Sequence, residues 1–245
     1  MTELNGKKLT GRIAADRIRM TSTPKPPQGA VERFIALGEC TSLVSDVMDE
    51  LGIEEGAIGA SVLRPTIPGK LMVGQALTVR NIRRRIDPFV AAKTNANGMA
   101  EFEAHNLAED GDVLVISGVS GVSNMGGISA LTGQRQGERG AVVMGGVRDV
   151  RHSRTIDYPV WASEVTPITG KWRIETVEIN GEIQMGNVRV NSGDLVIADD
   201  TGVVFVPRDR IMDVLELCEK KKKGEDTRIG SINQGVPVPI FYNKG

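Results

Sequence analysis

The apolar residues of this chain fall mainly into short unbroken runs, which is typical of strands buried on both faces of a sheet. The clearest run, at residues 112–117, predicts a central strand, and a second run at 141–147 carries two glycines near its end. The Asp-Asp-Thr-Gly sequence at 199–202 joins two further runs and predicts a β-hairpin, because Asp and Gly accept the backbone angles of a tight turn. The runs at 63–67 and 71–80 flank Pro68-Gly69 and predict another pair of strands across a turn.

Segments with helical spacing alternate with these runs, so the pattern indicates an α/β fold. Two short helices are expected from Ala30 to Gly52 and a mostly helical stretch, interrupted at 95–98, from 87 to 107. A helix is predicted to follow Gly127 and run to about Arg139, and a closing helix to cover 210–223.

Both ends of the chain differ from its centre. Residues 1–29 are polar and end in a proline-rich stretch, which predicts a linker or an arm lying on a surface. We therefore expect one compact domain at 30–225, with a tail at 226–245 whose proline-bearing end has little tertiary structure of its own.

Composition excludes several classes of function. With 30 basic and 31 acidic residues among 245, the chain has no field to attract nucleic acid, and the basic run at 220–223 suits a helix C-terminus. Cys40 and Cys218 lie far apart in apolar patterns and are predicted to be buried free thiols in a reducing compartment. We find neither a signal peptide nor an apolar run long enough to cross a bilayer, so we expect a cytoplasmic protein without membrane contact.

The candidate chemistry lies at residues 141–149, where the second apolar run ends on Arg148 and Asp149. Residues that leave a buried strand are rigidly held yet open to a cleft, so this pair suits an anion and a metal. A structural ion pair is an equally good interpretation of these residues alone. Upstream, Gly126-Gly127 opens a predicted helix whose free amides suit a carboxylate or phosphate, although a tight strand-to-helix connection is the commoner use of such a pair.

Taken together, the segments at 41–52, 111–115, 126–127, 142–149, 158–160 and 192–207 resemble the RraA-like superfamily. This superfamily includes the 4-hydroxy-4-methyl-2-oxoglutarate aldolases and the ribonuclease activity regulator RraA. The resemblance covers about residues 30 to 225 in the right order. It implies a swivelling β/β/α domain assembled as a homotrimer or homohexamer, with sites between subunits.

The resemblance also assigns roles. Asp149 would carry a divalent metal, Mg²⁺ or Mn²⁺, and Arg148 would be the catalytic residue that contacts a small 2-oxo acid. The backbone amides of Gly126, Gly127, Ile128 and Ser129 would receive the substrate carboxylate. These roles fit the physics, because one carboxylate with retained water suits magnesium and a guanidinium suits a planar anion. Such a site would stabilise the enolate formed when a carbon–carbon bond breaks.

Two positions depart from the pattern of the active aldolases. Gly127 stands where they have an aspartate that could help take a hydroxyl proton, and Met144 stands where many relatives have aspartate. Because decarboxylation of oxaloacetate needs no base on a hydroxyl, we expect it to be retained better than aldol cleavage.

Other polar residues are weaker candidates. His152 lies four residues past Arg148, a helical spacing that could turn it toward the same cleft, although a lone histidine is more often a surface residue. Glu225 falls near where relatives reach into a neighbouring subunit's metal site, yet an exposed acidic residue is the simpler interpretation. Asp199 and Asp200 are expected to be turn residues, and Asp46 to cap or pack its helix.

The sequence therefore predicts a metal-dependent lyase, an aldolase or decarboxylase, acting on a small 2-oxo acid. The main alternative is a non-catalytic regulator that binds a protein partner, which the glycine at 127 favours. A sugar-acid dehydratase using similar enolate chemistry is a third possibility.

Overall fold

A computed structural model describes residues 3–238 and 240 of the chain. The strands are β1 (Glu3–Leu4), β2 (Lys7–Lys8), β3 (Ala57–Gly59), β4 (Arg64–Pro65), β5 (Met72–Arg83), β6 (Asp112–Ser117), β7 (Ser123–Met125), β8 (Gly140–Val147), β9 (Val160–Val165), β10 (Ile174–Ile179), β11 (Ile183–Met185), β12 (Val188–Val190), β13 (Leu195–Ala198) and β14 (Gly202–Val206). The helices are α1 (Ala30–Ala36), α2 (Thr41–Glu50), α3 (Pro88–Lys93), α4 (Glu101–Leu107), α5 (Gly127–Arg135), α6 (Val150–Thr155) and α7 (Ile211–Asn233).

A ten-stranded mixed sheet forms the body, with strand order β3-β14-β13-β5-β6-β8-β9-β4 and with β10 on β5 and β7 on β8. Strands β5, β6, β8 and β9 are parallel neighbours, whereas β13, β14 and β10 join the sheet antiparallel. Helices α1, α2 and α7 pack with β13 and β14 around one apolar cluster, while α4 and α5 cover the parallel strands. The predicted α/β class, the central position of β6 and the β13–β14 hairpin are confirmed.

The predicted pairing of the strands at 63–67 and 71–80 is wrong. Only Arg64–Pro65 forms a strand, and it pairs with β9 instead of β5. Both sides of β5 are already taken, by β6 on one side and by β13 and β10 on the other. The short strand is therefore displaced to the edge of the sheet, where proline is tolerated.

Two helices end elsewhere than predicted. Helix α5 stops at Arg135, before Gly137, whose φ of +87° is a left-handed conformation that a helix cannot continue through. Helix α7 runs to Asn233, ten residues past Lys223, so it crosses the expected boundary at 225. Part of the predicted tail, residues 239 and 241–245, lies outside the described residues.

The N-terminal arm packs into the body. Leu9, Ile13 and Ile18 are buried in the cluster beneath α4 and α5. The fully buried carboxylate of Glu103 on α4 accepts hydrogen bonds from the backbone amides of Thr10 and Gly11. The arm thus contributes three apolar side chains to the core.

The parallel strands define the edge at which the candidate site lies. Strands β6 and β8 both point toward one edge, and Arg148 and Asp149 directly follow β8 there. Helix α4 leads into the start of β6 and α5 leads into the start of β8, so both helices begin at that same carboxyl edge. Ligands of parallel sheets bind at this edge.

Two further sequence predictions can be compared with the fold. Cys40 and Cys218 are buried free thiols, as predicted, and burial raises the pKa of each to about 12. In the described part of the chain, no helix combines the length and the apolar character needed to cross a bilayer.

Candidate functional site

The turn after β8 places Arg148 and Asp149 beside the Gly126–Gly127 turn. The amide of Arg148 donates to the carbonyl of Met125, which ties the end of β8 to the end of β7. Asp149 has a φ of +57°, a conformation that Asp tolerates better than most residues, and it precedes the first residue of α6. This backbone conformation turns the carboxylate back toward α5.

The Arg148 and Asp149 side chains both face the glycine turn, and their contact with each other leaves both partly exposed. Asp149 Oδ2 accepts the N–H of Gly127 at 3.0 Å and lies 3.6 Å from Arg148 Nε. A Cβ atom at Gly126 would lie 2.8 Å from that carboxylate oxygen and 3.1 Å from Arg148 Nε. With 34% of the Arg148 side chain and 50% of the Asp149 side chain exposed, both groups can still reach a ligand.

Of the four backbone amides predicted to bind the substrate carboxylate, that of Gly127 is already hydrogen-bonded within the protein. It donates to Asp149, so it is not available to a substrate carboxylate. The amides of Ile128 and Ser129, in the first turn of α5, have no acceptor among the described residues. The helix N-terminus therefore offers two free donors beside the Arg148 guanidinium, an arrangement suited to a carboxylate or phosphate.

His152 comes to the same site, as its spacing from Arg148 predicted. Its Cβ and Cδ2 atoms would lie 3.1 and 3.0 Å from a Cβ atom at position 127. The exposed imidazole therefore packs against the open side of Gly127. A side chain at position 127 would require His152 to move by a few tenths of an ångström.

A network of buried, hydrogen-bonded polar side chains lies behind the first turn of α5. His105 Nε2 is 2.7 Å from the Ser129 hydroxyl, and His105 Nδ1 is 2.7 Å from Glu138 Oε1. The Tyr158 hydroxyl donates to the other oxygen of Glu138 at 2.6 Å, and burial together with Glu138 raises the pKa of this tyrosine. The sequence did not predict this network, because nothing in the local sequence pattern distinguishes these buried polar residues from exposed ones.

The structure also shows what Met144 and Asp199 contact. Met144 packs against the apolar cluster beneath β11 and β12, whereas the alternate residues Val143 and Val147 face the cluster beneath α4 and α5. Met144 is thus a packing residue of the opposite face of the sheet. Asp199, predicted to be a turn residue, also accepts the backbone amides of Cys40 and Thr41 and so caps α2.

Glu225 lies apart from Arg148 within one chain. It lines a surface crevice of about 340 Å³ on the α2–α7 face, and no residue of the Arg148 site lines that crevice. Asp46 is exposed on α2 and lines the same crevice. The prediction that Glu225 completes a neighbouring subunit's site stays a prediction.

The donor set near Asp149 is compatible with a hard divalent cation. Asp149 Oδ2 is held by Gly127, whereas Oδ1 has no hydrogen-bond donor among the described residues and its side chain is half exposed. No group of three His, Cys, Asp or Glu side chains is placed to hold a metal within residues 3–238 and 240. A cation here would depend on one carboxylate and on water, as magnesium commonly does.

These features define a mixed α/β protein with Arg148, Asp149 and two free backbone amides gathered at the carboxyl edge of its parallel strands. A family model described as RraA-like, Aldolase/RraA, matches residues 41–205. The chain belongs to the RraA-like family.

Two relatives share 28% identity with the chain. One is a protein of Halalkalibacterium halodurans, provisionally named a 4-hydroxy-4-methyl-2-oxoglutarate aldolase, matched over 82% of this chain and 89% of its own length. The other is the DlpA protein of Legionella pneumophila, matched over 83% of this chain but only 33% of its own length. The chain thus spans about a third of DlpA.

A solved structure shares the fold. The crystal structure of Streptomyces coelicolor RraAS2 is described as an unusual member of the RNase ES inhibitor RraA protein family. It has a TM-score of 0.69 at 23% identity and covers 83% of this chain and 97% of its own. At this identity the similarity concerns the architecture alone.

Proposed function

We propose that this protein is a divalent-metal-dependent lyase acting on a small 2-oxo acid. The observation that carries the proposal is the meeting of Arg148, Asp149 and the free amides of Ile128 and Ser129 at one turn. A carboxylate that can hold a cation suits the keto group of a 2-oxo acid, and a guanidinium beside free amides suits its carboxylate. The aldolase name of the Halalkalibacterium relative supports the same class.

Each residue has a separate task in this proposal. The Arg148 guanidinium and the two amides hold and orient the substrate carboxylate. Asp149 would hold Mg²⁺ or Mn²⁺, and when bound the metal would offset the negative charge that develops at the keto group as the carbon–carbon bond breaks. The hydrogen bond from Gly127 fixes one oxygen of Asp149, and the other accepts no hydrogen bond from the described residues.

The direct test is pyruvate release from oxaloacetate, with magnesium and with chelator, by the wild type and by Arg148→Ala. We expect metal-dependent release that falls at least 100-fold in the variant, because charge stabilisation at such a site contributes about 10² to 10³ in rate. From 4-hydroxy-4-methyl-2-oxoglutarate we expect slower release, since Gly127 supplies no carboxylate. Release unaffected by the chelator or by the substitution contradicts the proposal.

A second candidate function is the binding of a protein partner. Ile128 is 75% exposed and Leu131 is 46% exposed one turn further along α5. An apolar surface beside a site without the family's aspartate is the specific observation that favours a regulator. Absence of pyruvate release from both substrates favours this candidate.

A further inference from the structure

The buried network of His105, Ser129, Glu138 and Tyr158 has no role in the proposed function so far. His105 and Tyr158 are 0% and 1% exposed, and the side chain of Glu138 is fully buried. His105 Nε2 lies 2.7 Å from the hydroxyl of Ser129, whose backbone amide is one of the two free donors at the start of α5. His105 is therefore in direct contact with a residue whose amide is assigned to substrate binding.

The hydrogen bonds of the network determine where its protons lie. Glu138 is placed to accept on both oxygens, from the Tyr158 hydroxyl at 2.6 Å and from His105 Nδ1 at 2.7 Å. A neutral imidazole carries one N–H, so a proton on Nδ1 leaves Nε2 as an acceptor. The hydroxyl of Ser129 then donates to Nε2 and is directed into the interior of the protein.

The direction of this hydroxyl matters because of its place in the helix. A serine in the first turn of a helix can turn its oxygen toward a backbone amide that has no partner there. Among the described residues, Ser129 Oγ contacts His105 and no backbone amide. The amides of Ile128 and Ser129 consequently stay without an acceptor in the described part of the chain.

Two further contacts hold α5 against α4 at the level of the network. Gly133 lies four residues past Ser129 on the same face of α5, and a Cβ atom there would clash with Glu138 Oε2. Beyond the end of α5, the Gln136 side chain donates to the carbonyl of His105 at 3.0 Å. The network therefore positions the backbone of α5 as well as one hydroxyl.

We propose that His105 is a positioning residue of the Arg148 site. This inference rests on the proposed function. His105, itself held by Glu138, keeps the hydroxyl of Ser129 turned inward, so the amides of Ile128 and Ser129 remain open to the substrate carboxylate. Without His105 the hydroxyl would turn toward these amides and compete with the substrate.

The test replaces His105 with two amides of different length. The asparagine amide lies as far from Cβ as Nδ1 does, so it can reach Glu138 but not Ser129, whereas glutamine is one bond longer and reaches Ser129. In His105→Asn we expect the KM for oxaloacetate to rise about tenfold or more, the range of a lost hydrogen bond to a charged group, with kcat within about threefold. His105→Gln should keep a KM near that of the wild type.

A second substitution separates this role from a purely structural one. In His105→Asn the released hydroxyl of Ser129 blocks the first-turn amides, so adding Ser129→Ala should return the KM to within about threefold of the wild type. A structural role predicts a further loss instead, because a second buried group has been removed.

The matched control is Glu103→Gln, a change at another buried residue of α4. Glu103 accepts hydrogen bonds from the amides of Thr10 and Gly11 and so fastens the N-terminal arm. Its substitution should lower the free energy of unfolding and leave the KM unchanged. A rise in KM equal to that in His105→Asn would overturn the inference, since lower stability alone would then explain both.

The wild type provides a measurement that needs no variant. Nitrogen NMR of the two histidines should show His105 with its proton on Nδ1, and a proton on Nε2 overturns the inference. A wild type without metal-dependent pyruvate release overturns the proposed function and this inference with it. An active wild type whose KM is unchanged in His105→Asn, or is not recovered by Ser129→Ala, overturns the inference alone.

Discussion

The absence of a side chain at position 126 decides how closely Arg148 and Asp149 approach helix α5. A methyl group there would meet Asp149 Oδ2 at 2.8 Å and Arg148 Cγ at 3.1 Å. For Gly126→Ala we expect pyruvate release to fall about tenfold or more, because a small misplacement of a binding group is costly. The free energy of unfolding should change by less than about 1 kcal/mol, since both neighbours are partly exposed and can move.

The matched control for this substitution is Gly230→Ala. Gly230 lies in α7 with nothing within 4 Å of an added methyl group, so activity should be unchanged and stability should rise by up to about 1 kcal/mol. Equal activity in the two variants contradicts the close packing described at Gly126.

Glu101 gives a pH-dependent prediction for stability. Its pKa is raised in the folded protein, so the wild type gains stability from the protonated carboxyl at low pH and loses it as pH rises through the folded-state pKa. Glutamine does not titrate. The stability of Glu101→Gln relative to wild type should therefore increase as pH rises above about 4, near the ordinary pKa of glutamate, measured by urea unfolding at a series of pH values. A difference independent of pH argues that the carboxyl is well solvated.

The residues of the site differ in how far the sequence reveals them. Arg148 and Asp149 could be predicted, because they are adjacent in the chain and directly follow an apolar run. His105, which supports the site through Ser129, could not, since a polar residue in a helical pattern is exposed by default and its burial depends on the packing of α5 against α4. Spatial proximity of this kind has no local signal.

Among the secondary-structure elements, the β13–β14 hairpin and α2 are joined by one carboxylate. Asp199 is 2% exposed and accepts hydrogen bonds from the amides of Cys40, Thr41 and Thr201. For Asp199→Asn we expect a loss of about 2 kcal/mol in the free energy of unfolding, because the cap of α2 loses its charge and one acceptor. Chemical denaturation measures this loss.

Asp200 is the control in the same turn. It is exposed and, among the residues that the structure describes, accepts a hydrogen bond only from the amide of Gly69, so Asp200→Asn should change stability by less than about 0.5 kcal/mol. A similar loss in both variants would mean that the turn as a whole, and not the cap of α2, sets the stability.

The strands show where prediction from the sequence ends. The β13–β14 pairing was predictable because both strands and their turn are contiguous and the turn residues specify it. The pairing of β4 with β9 was not, because three other strands occupy β5 and displace β4. Competition among distant strands is a property of the assembled sheet.

For the molecule as a whole, the open site suggests a larger assembly. Arg148 and Asp149 lie partly exposed beside Ile128, while Glu225 lies in a crevice on the α2–α7 face. We expect a homotrimer or homohexamer in which Glu225 of one subunit approaches Asp149 of another. Ile128→Glu should lower the oligomeric state measured by light scattering and reduce activity with it, because a charge buried in an interface is costly. A monomeric wild type, or an unchanged assembly in the variant, is contrary to this arrangement.

The central claim is that Arg148, Asp149 and the amides of α5 together bind a 2-oxo acid and a metal. Oxalate, a planar dianion that resembles the enolate of pyruvate, tests this claim by calorimetric titration without any turnover. We predict that oxalate binds the wild type only with magnesium present and that Arg148→Ala and Asp149→Asn each abolish binding. The asparagine retains an acceptor for the Gly127 amide, so the second loss would reflect the charge. Oxalate binding that is independent of magnesium, or that survives in both variants, would contradict the account.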